Sequence, residues 1–572
     1  MFNVIIIGGM AAGCKAAARL NRLSPDFKIT IIEKSSFLSI SSCGLPFFAS
    51  GEVSEFTELN KTSYGVVRDK KFFKEVKGAE VLLNTEVREI HKEKNTVECF
   101  NTENNEKLEL KYDYLILATG AESIHPPFPY PNSPFISSLH SPIDFNSFRL
   151  AAQKGKIGKA AIIGGGFIGC EMIEALNSLW GIETFLIEKE NSILPAILDV
   201  EISGYVENSI ASDKIKLLLS SEVKKIELND AGSPVIFFND DQKIDFDYVF
   251  YCLGVKANSG LAQKAGIKTG KFGGIQVDEQ MQTNIPNIWA AGDCVEIKNL
   301  ISGKPDYFPL GSLSNRMGRV AADSIADAAG AKEKTYFKGA AGTVSLKLFD
   351  NIICSTGLTE IKAKNLGYSA GCVTGSWYDR PDYYPEVKNI LGKLIYDKNN
   401  HRLLGLQLIG EGEVTRYIDV FSYMLSQNKK IEDLIDVEHG YTPAHSSPIS
   451  PLNYLGFMAL NQENENVKNC NPITINSFEG LFIDVRELDE IDNSKFPEKS
   501  INIPLSELRQ KIKDYDLNQP IMFICERGTR AYEAARIFMN NGYKNISYLG
   551  GGIQLYNNAN KYFRYLERNY EY

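Results

Sequence analysis

The sequence predicts an α/β chain in which one strand–glycine turn–helix–strand unit is used twice, followed by an α+β region and a short α/β module. Three observations carry this. The pattern Asn3–Ile7, Gly8–Gly13, Cys14–Leu23, Lys28–Glu33 recurs as Ala160–Ile163, Gly164–Gly169, Cys170–Trp180, Thr184–Glu188. From about 335 to 455, strand-like runs alternate with a helix around Val414–Gln427. From Ile473, apolar runs and a helical stretch resume and end near Tyr572.

The bulk numbers are compatible with that plan. A chain of 572 residues holds roughly three to five domains. Hydrophobic content of 44% and charged content of 23% are ordinary for globular proteins. A net charge of −9 argues against nucleic acid as a partner, so any anionic ligand needs local cations. Met1-Phe2-Asn3-Val4-Ile5-Ile6-Ile7-Gly8 runs straight into a glycine turn with no basic leader, and no apolar stretch reaches membrane-span length. The ten cysteines are scattered without paired spacing, which predicts reduced thiols and a cytoplasmic protein rather than a disulfide or metal framework.

In the first unit, Gly8, Gly9, Ala12 and Gly13 open a helix directly after a strand. Such glycines let backbone N–H groups approach a pyrophosphate at the positive end of the helix dipole. Glu33 ends the next strand, where a carboxylate binds ribose hydroxyls. Met10 occupies the middle glycine position. The second unit is a full match, Gly164, Gly166 and Gly169, with Glu188 ending its second strand. Glu188 favours the unphosphorylated ribose of NADH, and the adjacent Lys189 leaves NADPH open. Two strand ends, Ala118-Thr119-Gly120 and Ala291-Gly292-Asp293, offer Thr119, Gly120 and Asp293 as further candidates beside the glycine motifs. The predicted boundaries are 1–152 and 246–334 for the first nucleotide domain, 153–245 for the second, 335–457 for the α+β domain, 458–472 for a linker and 473–572 for the last module.

These motifs resemble the two-dinucleotide-binding flavoprotein family, the pyridine nucleotide-disulfide oxidoreductases, which includes glutathione reductase, NADH oxidase and coenzyme A-disulfide reductase. The resemblance covers about residues 1–455. It implies two Rossmann-like domains holding FAD and NAD(P)H, Asp293 on the flavin ribityl chain, and a homodimer whose third, dimerisation domain completes the partner's site. Cys43 stands alone in Ser39-Ile40-Ser41-Ser42-Cys43-Gly44-Leu45-Pro46-Phe47, without the second cysteine of the glutathione reductase branch. Ala11 stands where peroxidases and water-forming oxidases carry histidine, which makes NADH oxidase or peroxidase the alternative. The Cys43 segment is similar to that of coenzyme A-disulfide reductases, with Ile40 and Ser42 replacing the usual Phe and Asn.

In that branch the redox cysteine alternates between thiolate and a mixed disulfide with coenzyme A, so Cys43 is the expected catalytic sulfur. Asp382-Tyr383-Tyr384-Pro385 and Glu438-His439-Gly440-Tyr441-Thr442-Pro443 resemble segments that bring tyrosines to the partner's site, with Tyr441 and Tyr383 the expected proton donors. Pro443-Ala444-His445 departs from the family's Pro-Pro-Phe, and His445 reads as an exposed loop histidine. Coenzyme A phosphates need cations. Lys15, Arg19 and Arg22 share a helix face, with Arg19 and Arg22 the expected substrate contacts alongside Ser39 and Ser42.

The last module carries Asp484-Val485-Arg486-Glu487, an apolar run Ile521–Ile524, Cys525-Glu526-Arg527-Gly528-Thr529-Arg530, and Leu549-Gly550-Gly551-Gly552. A helix from about Ala531 would point its N-terminus at Cys525, a place for a negative sulfur. Arg527 and Arg530 would add positive charge, with Arg530 a catalytic candidate. These segments resemble a single rhodanese domain, which implies that Cys525 carries sulfane sulfur. The expected function is reduction by NADH or NADPH of coenzyme A disulfide, or of a coenzyme A persulfide or polysulfide, through Cys43.

Overall fold

The computed structural model describes residues 1–139, 141–331, 334–491 and 500–559. It divides into two compact units: Met1–Gly164, Met172–Phe185 and Glu222–Ala340 form one, and Gly165–Glu171, Leu186–Ser221 and Ala341–Tyr572 the other. Among the described residues no helix is long and apolar enough to cross a membrane.

The first unit is built on a five-stranded sheet ordered Ile288–Ala290, Tyr114–Leu117, Phe2–Ile7, Phe27–Ile32, Ala79–Leu82, every neighbouring pair parallel. Phe2–Ile7 lies between two neighbours, which is why Val4 to Ile7 are continuously apolar and buried. Gly8 leaves this strand at φ 113°, and a Cβ there would come within 2.1 Å of the Ala118 carbonyl oxygen. Helix Ala11–Leu23 follows, its Ala16, Ala17 and Leu20 buried in the common core. Helix Gly311–Ala328 packs so closely on it that a Cβ at Gly318 would reach 2.3 Å from the Ala12 carbonyl. The second repeat opens in this unit with strand Lys159–Ile163, parallel to Tyr248–Tyr251, which is parallel in turn to Ile136–Ser137.

The second unit holds an antiparallel five-stranded sheet ordered Val344–Leu348, Asn351–Gly357, Leu403–Gly410, Asn389–Asp397, Ala370–Tyr378. Helix Thr415–Ser426 lies within the predicted Val414–Gln427. A parallel five-stranded sheet follows, ordered Lys468–Cys470, Ile546–Leu549, Ile521–Ile524, Leu481–Asp484, Ile501–Asn502. Its core gathers Ile483, Val485, Ile521, Phe523, Ala534 and Phe538. The α/β architecture of the sequence reading is therefore present.

The predicted linker 458–472 is not one. Helix Pro451–Glu465 runs through its first half, and Lys468–Cys470 is a strand of the parallel sheet. The predicted module start, Ile473, instead lies in the short helical turn Pro472–Ser477. The predicted end of the module, 560–572, lies outside the described residues.

Candidate functional sites

The two glycine turns are built alike. In the first, Glu33 is buried and its Oε2 accepts the Gly9 N–H at 2.7 Å, while Oε1 accepts the Ser35 N–H at 2.8 Å. In the second, Glu188 Oε2 accepts the Gly165 N–H at 2.7 Å and Oε1 accepts the Glu190 N–H at 2.9 Å. Each acid is thus held against its own turn, at the position where a ribose diol is read. Gly13 is obligatory, because a Cβ would lie 2.0 Å from the Gly8 carbonyl. Gly164 is at φ 108° with the Cys252 carbonyl oxygen 2.4 Å from where a Cβ would be. Gly166 and Gly120 face open space with nothing within 4 Å of a Cβ, and Gly169 is buried at the start of helix Phe167–Ser178. Met10 sits at φ −102°, so the middle position of the first turn does not require glycine. Lys189 is exposed and pairs with Glu190 at 3.7 Å.

At the first turn, Ala12 is buried against Gly292, which is at φ 92°. The Asp293 carboxylate accepts the Ser314 hydroxyl at 2.6 Å, and burial raises its pKa above the usual carboxylate value. Thr119 donates its hydroxyl to the Asn258 carbonyl at 2.6 Å. The cleared glycine turns, the open face at Gly120 and the buried acids fit a dinucleotide at each repeat.

Cys43 is exposed in the turn Ser42–Gly44, directly ahead of the short helix Leu45–Ser50. A helix the sequence did not assign to it lies alongside. Gly311, first residue of Gly311–Ala328, would place a Cβ 3.7 Å from the Cys43 sulfur. The N-terminus of an 18-residue helix puts partial positive charge beside that sulfur. Ser42 shares the exposed face. Ser39 does not: it is buried at φ 56°, and its N–H donates to the Gly9 carbonyl at 2.8 Å, so it belongs to the glycine turn rather than to a substrate surface. Arg19 is also diverted, its Nε bonded at 2.5 Å to the fully buried carboxylate of Asp323. Arg22 is exposed.

In the second unit, Tyr383 is 73% and Tyr441 49% exposed. The Tyr383 phenol is raised above its ordinary pKa by partial desolvation and then by interaction with Tyr441. Tyr441 lines an open cleft of about 360 Å³ with Val437, His439, Ile449 and Phe457. His445 is exposed.

The second sulfur is held differently. Cys525 is 1% exposed, and its Sγ accepts N–H groups from Gly528 at 3.1 Å and Ala531 at 3.3 Å. Gly528 stands at φ 102° immediately ahead of helix Thr529–Met539, so the loop folds back around the sulfur. A Cβ at Gly552 would come within 2.4 Å of the Glu526 carbonyl, so no side chain fits there. Arg530 is close enough to Cys525 to feel its charge, but its guanidinium is engaged by both carboxylate oxygens of Glu490, at 2.5 and 2.6 Å. That contact drives the Glu490 carboxyl down to about 2. Arg527, expected to add charge at the sulfur, instead turns onto the Tyr378 ring, 3.7 Å from its centroid.

The sequence reading missed a buried cluster. Lys393 Nζ, 1% exposed, lies 3.0 Å from Asp199, 2.6 Å from Glu201 and 2.7 Å from Glu360. Its members are spread over the chain, so no local spacing announces it.

Comparison with known proteins agrees with this anatomy. The pyridine nucleotide-disulphide oxidoreductase family matches residues 2–320, its dimerisation domain residues 344–450, and a rhodanese-like domain residues 465–559. An NADH oxidase of Methanocaldococcus jannaschii is 31% identical over 80% of this chain and 98% of its own length. An NAD(P)H coenzyme A polysulfide/persulfide reductase of Pyrococcus horikoshii is 31% identical over 79% of this chain and 96% of its own. The structure of an NAD-dependent persulfide reductase from A. fulgidus superposes with a TM-score of 0.91 at 34% identity, over 97% of this chain and 100% of its own. With two dinucleotide turns, a lone exposed cysteine beside a helix end and a family match across more than half its length, this chain belongs to the pyridine nucleotide-disulphide oxidoreductases and ends in a rhodanese-like domain.

Proposed function

We propose that the protein is an FAD-dependent NAD(P)H oxidoreductase that reduces sulfur–sulfur bonds of coenzyme A disulfide, persulfide or polysulfide, and that it works as a cytoplasmic homodimer. The observation that carries this is the exposed Cys43 at the N-terminus of Gly311–Ala328, in a chain that also holds a caged sulfur at Cys525. The dimerisation domain supports the dimer.

Gly8, Gly9, Ala12, Gly13, Glu33, Thr119, Gly120 and Asp293 would hold FAD, and Gly164, Gly166, Gly169 and Glu188 the nicotinamide nucleotide. Together these cofactors supply two electrons per turnover. The Cys43 thiolate attacks the sulfur bonded to coenzyme A. With the persulfide, the S–S bond breaks, Cys43 and coenzyme A form a mixed disulfide, and hydrosulfide leaves. With the disulfide, a coenzyme A thiolate leaves and takes a proton from Tyr441 or Tyr383 of the opposite subunit. Two electrons and a proton then restore the Cys43 thiolate and release coenzyme A thiol. Arg22 and Ser42 are the substrate contacts; Cys525, held by its N–H donors and flanked by Arg530, carries sulfane sulfur to the coenzyme A thiol.

Anaerobic NADH oxidation by the purified protein, with coenzyme A disulfide and coenzyme A persulfide at matched concentrations, tests this. Turnover with either substrate that is abolished by Cys43→Ser supports it, and loss in Cys525→Ser of sulfide release from a sulfane-sulfur donor plus coenzyme A thiol assigns the rhodanese-like domain a place in the route. Full turnover in Cys43→Ser, or rapid oxygen consumption without any sulfur substrate, overturns it in favour of an oxidase.

A further inference from the structure

Arg527 lies two residues beyond Cys525, yet its side-chain contacts among the described residues hold something other than the sulfur. Its guanidinium stacks on Tyr378, 3.7 Å from the ring centroid. Nη2 donates to Asn389 Oδ1 at 2.9 Å. Nη1 donates to Gln554 Oε1 at 2.9 Å and reaches Ser376 Oγ at 3.3 Å, and Ser376 itself donates to Gln554 Oε1 at 2.5 Å.

Two of these partners have a special place. Tyr378 is the last residue of strand Ala370–Tyr378, and Asn389 is the first of Asn389–Asp397. They are register partners, so together they form the base of the hairpin whose loop is 379–388. That loop carries Tyr383. Its ends are tied by Asp379, whose N–H donates to the Lys388 carbonyl at 2.9 Å and whose carboxylate accepts the Lys388 N–H at 2.8 Å. One guanidinium from the sulfur loop therefore grips both strands at the root of the tyrosine hairpin. A planar fork that stacks and donates at once is what arginine provides and lysine does not.

We propose that Arg527 is a positioning residue for the reductase half of the protein: by clamping Tyr378 and Asn389 it sets the hairpin that presents Tyr383 beside Tyr441, so that protonation of the leaving thiolate depends on a seated sulfur loop. This rests on the reading of Tyr383 and Tyr441 as proton donors. It gives the rhodanese-like domain a role in disulfide reduction even when no sulfur passes through Cys525. It also gives the two halves of the chain a reason to be fused beyond local concentration.

The test uses the full-length holoenzyme with coenzyme A disulfide, a substrate that needs no sulfur from Cys525. Arg527→Ala should lower kcat about tenfold with little change in KM, and should move the alkaline limb of the pH–rate profile to lower pH, because Tyr383 loses its fixed neighbour. Arg527→Lys, which keeps the cation over the ring but not the fork, should recover part of the rate. Tyr378→Leu with Asn389→Ala approaches the same contact from the hairpin side, should reproduce the loss, and should add nothing to Arg527→Ala. If Arg527→Ala, or the hairpin pair should that variant not fold, keeps the wild-type rate and pH profile while Tyr441→Phe is impaired, the clamp is overturned and the proposed function stands. If Tyr383→Phe and Tyr441→Phe both turn over coenzyme A disulfide at the wild-type rate and pH profile, the proton-donor reading falls and takes this inference with it.

Discussion

Replacing Glu207 by Gln should remove a loss of local stability that the wild-type protein suffers as pH rises from about 4.5 to about 7. Glu207 is 1% exposed on helix Val200–Ile210. Its Oε1 accepts the Ile193 N–H at 2.9 Å and the Ser203 hydroxyl at 3.2 Å, both neutral donors. Burial, only partly offset by those bonds, pushes the carboxyl up to about 7 from an ordinary 4.5. The folded state therefore keeps a proton that the unfolded chain has released, and stability falls with pH between those two values. At ~1.4 kcal/mol per tenfold change in the proton equilibrium, the full loss above pH 7 is about 3 kcal/mol. The loop that Glu207 braces is attached to the second glycine turn, since Leu194 donates its N–H to the Gly165 carbonyl at 2.8 Å. Hydrogen exchange of the segment 189–211, comparing wild type and Glu207→Gln at each pH from 5 to 8.5, reads the effect locally and needs no two-state unfolding of the whole chain. Protection of the variant relative to wild type should climb through this range and level off above pH 7. A difference that is constant from pH 5 to 8.5 would refute the reasoning, whatever its sign.

The other expectations concern charge and backbone. Lys393→Met strands the carboxylates of Asp199, Glu201 and Glu360 in the interior and should cost about 3–5 kcal/mol in a urea titration. Glu490→Gln loosens its grip on Arg530 and should lower KM for thiosulfate about tenfold in sulfur transfer to cyanide, a charge-assisted bond being worth about 1.5–3 kcal/mol. Because Glu490 titrates at about 2, wild type should show no such gain on acidification to pH 5. Gly528→Ala forces a side chain into φ 102° and displaces an N–H from Cys525, so sulfur transfer should fall sharply while Cys43 chemistry on the disulfide continues.

Local signals were readable where chain geometry is local. The strand and helix of the first repeat, predicted as Asn3–Ile7 and Cys14–Leu23, occur as Phe2–Ile7 and Ala11–Leu23, because a glycine at positive φ separates an apolar run from a helical one. Ile521–Ile524 was read at its true bounds for the same reason. Most of the failures are long-range. The polar run taken for a linker is helical and then extended because distant groups satisfy it: Gln462 donates to the Cys372 carbonyl at 3.1 Å, Glu463 accepts the Tyr396 hydroxyl at 2.6 Å, and Asn469 Oδ1 accepts the Thr374 N–H at 3.0 Å. Ser39 looks like a substrate contact because its segment is similar to that of coenzyme A-disulfide reductases, but its left-handed backbone and burial place it at the glycine turn. The helix end beside Cys43 begins at Gly311, far beyond any window that sequence spacing can scan.

The arginines of the sulfur loop show how the same limit bears on chemistry. Counting guanidiniums near Cys525 suggests an electropositive bowl that would draw in any anionic donor. The structure assigns each of them elsewhere. Arg486 lies on the Asp484 carboxylate, 2.9 Å from Oδ2, at the foot of the loop; Arg527 grips the tyrosine hairpin; Arg530 is matched by Glu490 at the mouth. The charge of a sulfur at Cys525 is then met by backbone N–H groups, which are fixed by the fold and carry no preference for a dianion. Arg527 and Arg530 share no partner among the described residues, so their effects should separate. In Arg527→Ala combined with Glu490→Gln, the kcat loss on coenzyme A disulfide and the fall in KM for thiosulfate should each equal the single-variant value. A coupled result would mean that hairpin and mouth move together, and that the loop senses its donor and its tyrosine as one element.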